Sequence, residues 1–178
     1  VCDLRNIILH PTFFTMMPKD QALRLIVYKI NEIVLESRVR CKVGIENTGR
    51  LNELGSLEEI VDIHKRTHSS EPVINFAHLH ARSSGGMRTV NDFARVIDFV
   101  IKNSRHDFRN NAYIIFSGMR YNASGEIEHI AMRSSDINLE YLIRAIMSYN
   151  IRGTLIFQLP EREKELIEMI DEIGDMVR

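Results

Sequence analysis

The sequence predicts an α/β protein in which five short β-strands alternate with five amphipathic helices. Five apolar runs recur along the chain, and each is followed by apolar residues at three- and four-residue intervals. The runs are continuously apolar, which is typical of strands buried on both faces of a parallel sheet. Each run also ends abruptly in polar residues. Five such units fit either an open doubly wound sheet or most of an eight-stranded barrel.

The predicted strands are apolar runs that end at polar or turn-forming residues. His10 and Pro11 stop the first run, Glu46 ends the second, and Asn75 begins the polar end of the third. In that third strand two histidines then follow at alternate positions. The fourth run stops at a Ser-Gly pair and the fifth stops before a proline. The predicted strands cover residues 6–10, 42–46, 73–80, 112–116 and 154–158.

The predicted helices follow from their apolar stripes and their first residues. Pro18 is well placed in the first turn of the first helix. Ser56 and Glu59 have the spacing of a capping box at the start of the second. Asp136 could cap the fourth, after a connection that is long enough to be functional or to contain a hairpin. The predicted helices cover residues 18–38, 56–65, 90–103, 137–148 and 161–174.

Bulk composition narrows the function classes. The 178 residues are enough for one domain, which we expect to cover residues 1–178. A net charge of -1 gives the chain no overall positive potential that would attract nucleic acid, but it does not exclude a local basic patch. Cys2 and Cys41 are too few for a disulfide framework, which suits a reducing cytoplasm. No apolar run is long enough to span a membrane, and no Gly-rich phosphate-binding motif is present.

Polar side chains gather at the predicted strand ends, which meet on one face of a parallel sheet. Imidazole nitrogens and a carboxylate at such a face are suitable ligands for zinc or manganese. A lone histidine after a strand is more often a loop residue, so the combination carries the specificity. Glu46 could be a metal ligand or a salt-bridge partner, because a buried carboxylate needs compensation. His64, His68 and His106 fit solvated positions. The candidate positions are His10, Glu46, Asn75, His78, Ile115, Ser117, His129 and Gln158.

Several short motifs, taken in order, resemble the endonuclease IV family and in particular its archaeal branch. They are Leu9-His10-Pro11, Ile45-Glu46-Asn47-Thr48-Gly49-Arg50, Phe76-Ala77-His78-Leu79-His80-Ala81-Arg82, Phe116-Ser117-Gly118 and Gly125-Glu126-x-x-His129. The resemblance implies a (β/α)8 TIM barrel of the xylose-isomerase-like superfamily. It covers essentially the whole chain and corresponds to strands four to eight. We therefore expect three further βα units upstream, or association through the two open barrel edges.

The resemblance also implies a zinc cluster, whose inner position is altered here. His10 falls on a zinc-ligating histidine, and Glu46 falls on the carboxylate that bridges two ions, which makes it the expected catalytic residue. Asn75 and Gln158 replace an aspartate and a glutamate, while Ile115 replaces a histidine. Amides lose the charge that offsets a dication, and isoleucine cannot ligate. We expect this position to be lost, leaving fewer than three zinc ions or none.

A further zinc position is better preserved. By the same resemblance His78 falls on one ligand and His129 on another. The aspartate expected two residues before the second histidine is Ile127, for which Glu126 or Glu128 could substitute. This position could therefore still bind a metal ion.

The resemblance implies hydrolysis of the DNA backbone at abasic sites, and therefore DNA repair. Because that chemistry uses the metal cluster, loss of one ion predicts reduced activity. Arg50, Arg82 and Arg88 could contact DNA phosphates, although solvated arginines or internal ion pairs explain them equally well. Two alternatives stay open: a non-catalytic homologue that binds DNA or a sugar phosphate, and a sugar isomerase or epimerase. A sugar isomerase or epimerase needs two acidic metal ligands, so Asn75 and Gln158 count against that alternative.

Overall fold

The computed structural model describes residues 6–11, 17–36, 41–105, 107–160 and 162–177. A five-stranded parallel sheet forms its centre, with the strands in the order β1-β2-β3-β4-β7. The sheet is curled into about half of a barrel, which confirms the predicted α/β class and favours the barrel over the open sheet. The strands are β1 (Asn6–Leu9), β2 (Lys42–Glu46), β3 (Ser70–Asn75), β4 (Ala112–Phe116), β5 (Gly118–Asn122), β6 (Gly125–Ile130) and β7 (Gly153–Phe157).

Helices cover the outward face of the curled sheet and form one core with it. Ile74 and Ile114 of the strands are buried together with Phe93 and Ile97 of α4 and Leu142 of α5. The capping box predicted at the start of α2 is confirmed. The helices are α1 (Lys19–Glu36), α2 (Leu57–Arg66), α3 (Phe76–Arg82), α4 (Val90–Asn103), α5 (Leu139–Ser148) and α6 (Arg162–Met176).

The third strand is shorter than the sequence predicts, which changes the setting of its histidines. β3 ends at Asn75, whose side-chain Oδ1 accepts the backbone N–H of His78 at 3.1 Å and caps α3. The prediction of a strand reaching residue 80 was wrong. The first six residues of α3 are buried, so the helix has no polar face that its periodicity could reveal.

The connection after β4 contains the hairpin β5–β6, which was one of the two predicted possibilities. Asp136 does not cap α5, so that prediction was wrong. The cap is Asn138, whose Oδ1 accepts the N–H of Glu140 at 2.8 Å. Asp136 instead contacts His80 of α3.

His64 also differs from its predicted solvated position. It is buried, with Nδ1 2.9 Å from the carbonyl oxygen of Ser70 and Nε2 accepting the N–H of Arg105 at 3.1 Å. A ring that joins α2 to neighbouring segments in this way has a structural role. His68 is exposed, as predicted, whereas His106 and Cys2 lie outside the described residues. Within the described ranges, no helix is both long enough and apolar enough to cross a membrane.

Candidate metal centre

The carboxyl ends of the strands bring the predicted histidines together with Glu46. Among the described residues, two groups have potential ligand atoms within 4.8 Å of one another. One consists of His10, Glu46 and His78, and the other of His78, Glu126 and His129. The fold therefore contains residue groups that could hold a metal ion, at the face where βα barrels keep their active sites.

The second group, which we call the mouth site, has two histidines whose orientation suits metal ligation. Nδ1 of His78 donates to the backbone carbonyl of Asn47 at 2.8 Å, so Nε2 carries the lone pair and lies 3.5 Å from Oε2 of Glu126. Nδ1 of His129 lies 2.8 Å from the hydroxyl of Ser117. In metal sites, hydrogen bonds of this kind fix the orientation of the ligating histidine rings.

The protonation of His78 also suits a ligand. Burial lowers the pKa of its imidazole, because desolvation disfavours the charged ring more than the nearby carboxylates favour it. A histidine must be neutral to ligate a metal ion, so burial keeps His78 in the required form.

Glu126 enters the mouth site because β6 contains a bulge. In a regular strand, residues three apart point to opposite faces, so Glu126 and His129 would be separated. The register shift opposite Arg120 and Tyr121 makes Ile127 an extra residue in β6, and one extra residue restores a common face. Of the two glutamates that could replace the expected aspartate, the geometry favours Glu126.

The loop after β2 holds the start of β6. The N–H of Glu126 donates to the carbonyl of Gly49 at 3.0 Å, and Arg50 forms an isolated bridge with Gly125. Gly125 has φ +99°, a value in the left-handed region that favours glycine. A Cβ on Gly49 would lie 2.5 Å from Oε2 of Glu126, so the close approach requires glycine there.

We call the four expected ligand positions of the altered zinc site the inner site: Glu46, Asn75, Ile115 and Gln158. The three polar members form a hydrogen-bond cluster. Nδ2 of Asn75 donates to Oε1 of Glu46 at 2.9 Å and to Oε1 of Gln158 at 3.4 Å. Ile115 is the neighbour of Asn75 in the sheet and is buried. One carboxylate, two amides and an isoleucine do not fit a dication. The amide nitrogen of Asn75 lies between the oxygens in place of a cation.

The amide of Asn75 has two roles that an aspartate could not combine. Its oxygen caps α3 by accepting from His78, and its nitrogen donates to Glu46. A carboxylate could serve as the cap but has no hydrogen to donate. The group formed by His10, Glu46 and His78 is similarly occupied, because Nδ1 of His78 already donates to a carbonyl.

Glu46 and His10 stabilise each other's charged forms. Burial raises the pKa of Glu46, but hydrogen bonds from His10 and Asn75 outweigh burial and hold it below its usual range. The pKa of His10 is raised by its hydrogen bond to Glu46, in which Nε2 of His10 lies 3.0 Å from Oε1 of Glu46. His10 has a half-exposed side chain, so this ion pair lies at the edge of the site.

Comparisons with known proteins agree with this architecture. No family model matches the chain. An uncharacterized protein of Methanocaldococcus jannaschii, MJ0133, is 24% identical over 166 residues, which are 92% of this chain and 60% of that protein. Among solved structures, a D-tagatose 3-epimerase-like protein has a TM-score of 0.72 and 14% identity, with 97% of this chain and 62% of that chain covered.

Two xylose isomerase domain proteins have similar folds. The one from Alicyclobacillus acidocaldarius has a TM-score of 0.64 and 12% identity, with 97% of this chain and 64% of that chain covered. The one from Salmonella typhimurium has a TM-score of 0.63 and 14% identity, with 98% and 64% covered. The fold matches part of the TIM barrel of these xylose isomerase-like neighbours. This chain spans about 60% of the length of its curated relative and supplies about half of the barrel. Membership of the endonuclease IV branch stays a prediction.

The three arginines predicted as phosphate contacts differ in their surroundings at this barrel mouth. The guanidinium of Arg82 donates to the hydroxyl of Thr48 at 3.2 Å and to the carbonyls of Arg50 and Glu53. Arg88 donates to the carbonyl of Gly85 at 2.7 Å and also contacts Tyr121 and Asp136. Both side chains therefore hold loops in place.

The side chain of Arg50 has the fewest partners of the three among the described residues. Its only ion pair among the described residues is with Glu53, at 3.8 Å. It lines an open cavity of about 400 Å³ together with Asn122, Ser124 and Glu126. A negatively charged group entering this cavity would meet Arg50 beside the mouth site.

Asn47 is a site residue that the sequence did not single out. Its backbone carbonyl orients His78, and its side chain exchanges two hydrogen bonds with the backbone of Asn75, at 2.7 and 2.9 Å. The orientation depends on a main-chain oxygen, which any residue type provides. The sequence therefore contains no signal for this role.

Proposed function

We propose that this chain is a metal-dependent phosphodiester hydrolase that acts on DNA at abasic sites and binds one zinc ion in the mouth site. The supporting observation is the arrangement of His78, Glu126 and His129, in which both rings have Nδ1 engaged. Two histidines and a glutamate are a known ligand set of catalytic zinc and leave a coordination position open. The choice of substrate rests on the ordered motifs that resemble endonuclease IV.

Glu46 and His10, which lie next to the mouth site, have separate chemical roles in the proposed hydrolysis. When bound, zinc lowers the pKa of the attacking water and stabilises negative charge on the leaving oxygen. Glu46 is the proposed catalytic carboxylate, because its lowered pKa keeps it ionised beside His10. His10, whose pKa is raised, provides a proton at the edge of the site for the leaving oxygen.

Arg50 is the proposed contact for the DNA backbone. It lines the cavity next to Glu126, and within the described part of the chain it pairs only with Glu53, at 3.8 Å. Arg82 and Arg88 hydrogen-bond to protein acceptors, so in this proposal they add positive potential and hold the loops. Replacing Arg50 by glutamine should weaken binding of an abasic duplex more than the same replacement at Arg66, which lies on α2 and pairs with Asp62.

A second candidate is a non-catalytic homologue that binds DNA or a sugar phosphate. The hydrogen bonding within the inner site favours this second candidate, because Glu46 is the one carboxylate of that site and already accepts a hydrogen bond from Asn75. The sugar isomerase or epimerase alternative has support from the fold alone. Asn75 and Gln158 count against it, because both are uncharged where two acidic metal ligands are needed.

Metal analysis combined with a cleavage assay tests these alternatives. We expect about one zinc per chain by elemental analysis and slow, zinc-dependent nicking of an abasic duplex. His78→Ala should remove both, whereas His68→Ala, on an exposed histidine away from the site, should remove neither. Two or three zinc ions would contradict the loss of the inner site. If the protein binds the duplex but contains no zinc and does not nick it, the non-catalytic homologue is supported. Epimerisation of a ketose would support the sugar enzyme.

The two open edges of the sheet are the basis of a further part of this proposal. β1 and β7 are edge strands, and the helices beside them expose large apolar side chains. We propose that further βα units of a complete barrel cover these edges. The exposed large apolar side chains of α1 and α6 are Leu25, Tyr28, Ile33, Leu35, Leu166, Ile167 and Ile170. Native mass spectrometry should detect a longer polypeptide, and a homodimer of this chain would contradict the proposal.

A further inference from the structure

A second polar cluster lies beside the mouth site. We call His80, Arg88, Tyr121 and Asp136 the latch cluster. The buried ring of His80 uses both nitrogens: Nε2 donates to Oδ1 of Asp136 at 2.8 Å, and Nδ1 accepts the N–H of Met87 at 3.2 Å. A ring bonded in this way has no nitrogen free for a metal ion.

The carboxylate of Asp136 joins three parts of the barrel mouth. Oδ1 accepts from His80 of α3. Oδ2 accepts from the hydroxyl of Tyr121 on β5 at 2.8 Å and from Nη2 of Arg88, in the loop before α4, at 2.8 Å. The rings of His80 and Tyr121 also pack edge to face, with centroids 5.1 Å apart. One side chain therefore connects α3, the hairpin and the loop.

The elements joined by the latch cluster are those that carry the metal ligands. His80 follows His78 by two residues on α3, and Tyr121 is the cross-strand partner of Glu126 in the hairpin. Besides this cluster and the residues of the mouth site, the hairpin contacts α3 through apolar packing of Met119 against Ala77 and Ala81. Apolar contacts are non-directional, whereas hydrogen bonds fix distance and direction.

We propose that Asp136 is a positioning residue of the metal centre, which fixes the hairpin on α3 so that Glu126 and His129 face His78 before an ion binds. This inference rests on the proposed function, because it requires that the mouth site bind metal. Asp136 touches neither substrate nor metal. It acts through the two elements that it joins, and ligand atoms must lie within a few tenths of an ångström of their working positions.

Two variants of the full chain test the role of Asp136. Asp136→Asn retains the shape of the side chain and removes its charge, and Tyr121→Phe retains the ring packing and removes the hydroxyl. We expect each to weaken zinc binding about tenfold, as the loss of supporting hydrogen bonds does in other metal sites. The visible spectrum of bound Co²⁺ should change as well, because the ligand geometry changes. Asp62→Asn, which removes the same charge from α2, should change neither measurement.

The outcomes separate this inference from the proposed function. If the unmodified chain binds no zinc, the proposed function and this inference are both wrong. If it binds zinc, and both variants bind equally tightly with an unchanged Co²⁺ spectrum, the inference alone is wrong. A lower unfolding temperature with unchanged zinc affinity would make the latch cluster purely structural. If Asp136→Asn does not fold, Tyr121→Phe decides, because it removes one hydroxyl and retains the buried ring.

Discussion

Gly49→Ala tests whether the loop after β2 holds Glu126 at the metal centre. The backbone of Gly49 is outside the left-handed region, so alanine is conformationally allowed there. Its new Cβ would lie 2.7 Å from Cβ and 2.5 Å from Oε2 of Glu126, whereas ordinary contact begins at 3.4 Å. The start of β6 must therefore retreat by about 0.7 Å.

A displacement of this size should be costly for metal binding. Ligand distances in metal sites are held to about 0.2 Å, and a 1 Å misplacement in an active site can cost about a hundredfold. We expect Gly49→Ala to weaken zinc binding by about ten- to a hundredfold, which corresponds to roughly 1.4–2.7 kcal/mol. Competition titration against a chromophoric zinc chelator would measure this change.

Gly174→Ala is the matched control for this experiment. Gly174 lies in α6 with open space around the position of a new Cβ. Alanine there should leave zinc affinity unchanged and stabilise the helix by up to about 1 kcal/mol. If folded Gly49→Ala binds zinc as tightly as the unmodified chain, Glu126 is not a ligand or is not held by this loop.

Three further predictions concern charges at the two sites. Glu126→Gln should lower zinc affinity by tenfold or more on titration, because the anionic ligand becomes neutral. The control Glu128→Gln should leave zinc affinity unchanged. Equal losses of affinity in the two variants would contradict the role of the bulge. Asn75→Asp should destabilise the fold by about 2–3 kcal/mol at pH 7, because two buried carboxylates replace a hydrogen bond to Glu46. Repulsion raises the pKa of the new carboxyl, so the loss should grow as pH rises through that pKa and be small at pH 4 in urea unfolding. A loss equal at both pH values would argue against charge repulsion. The imidazole of His10 should titrate above 6.5 by NMR and return toward 6.5 in Glu46→Gln. The stability from this pair should be present below pH 6.5 and be lost as pH rises through the raised pKa, by no more than about 1 kcal/mol, because His10 is half-exposed. An unchanged His10 pKa in Glu46→Gln would contradict the hydrogen bond as its cause.

The sheet and its helices could be predicted because they depend on short-range patterns. Runs without alternation indicate strands buried on both faces, and the stripe of α4 has the helical period, so its predicted bounds agree with the structure. The prediction failed where a single residue ends a strand. The predicted strand continues past Asn75 to residue 80, but the side chain of Asn75 caps α3, and the next residues are helical.

The candidate site divides in the same way. The sequence by itself indicated that His10 and Glu46 lie at strand ends on one face, and that Asn75, Ile115 and Gln158 lack the charges of a metal cluster. It could not choose between Glu126 and Glu128, because that choice depends on a bulge in β6. It also could not indicate the contacts of Asn47 with His78 or of Asp136 with His80, since these partners are more than 30 residues apart in the chain. Residue type and spacing decide which chemistry is available, whereas tertiary packing decides which donor atoms are within reach of one another.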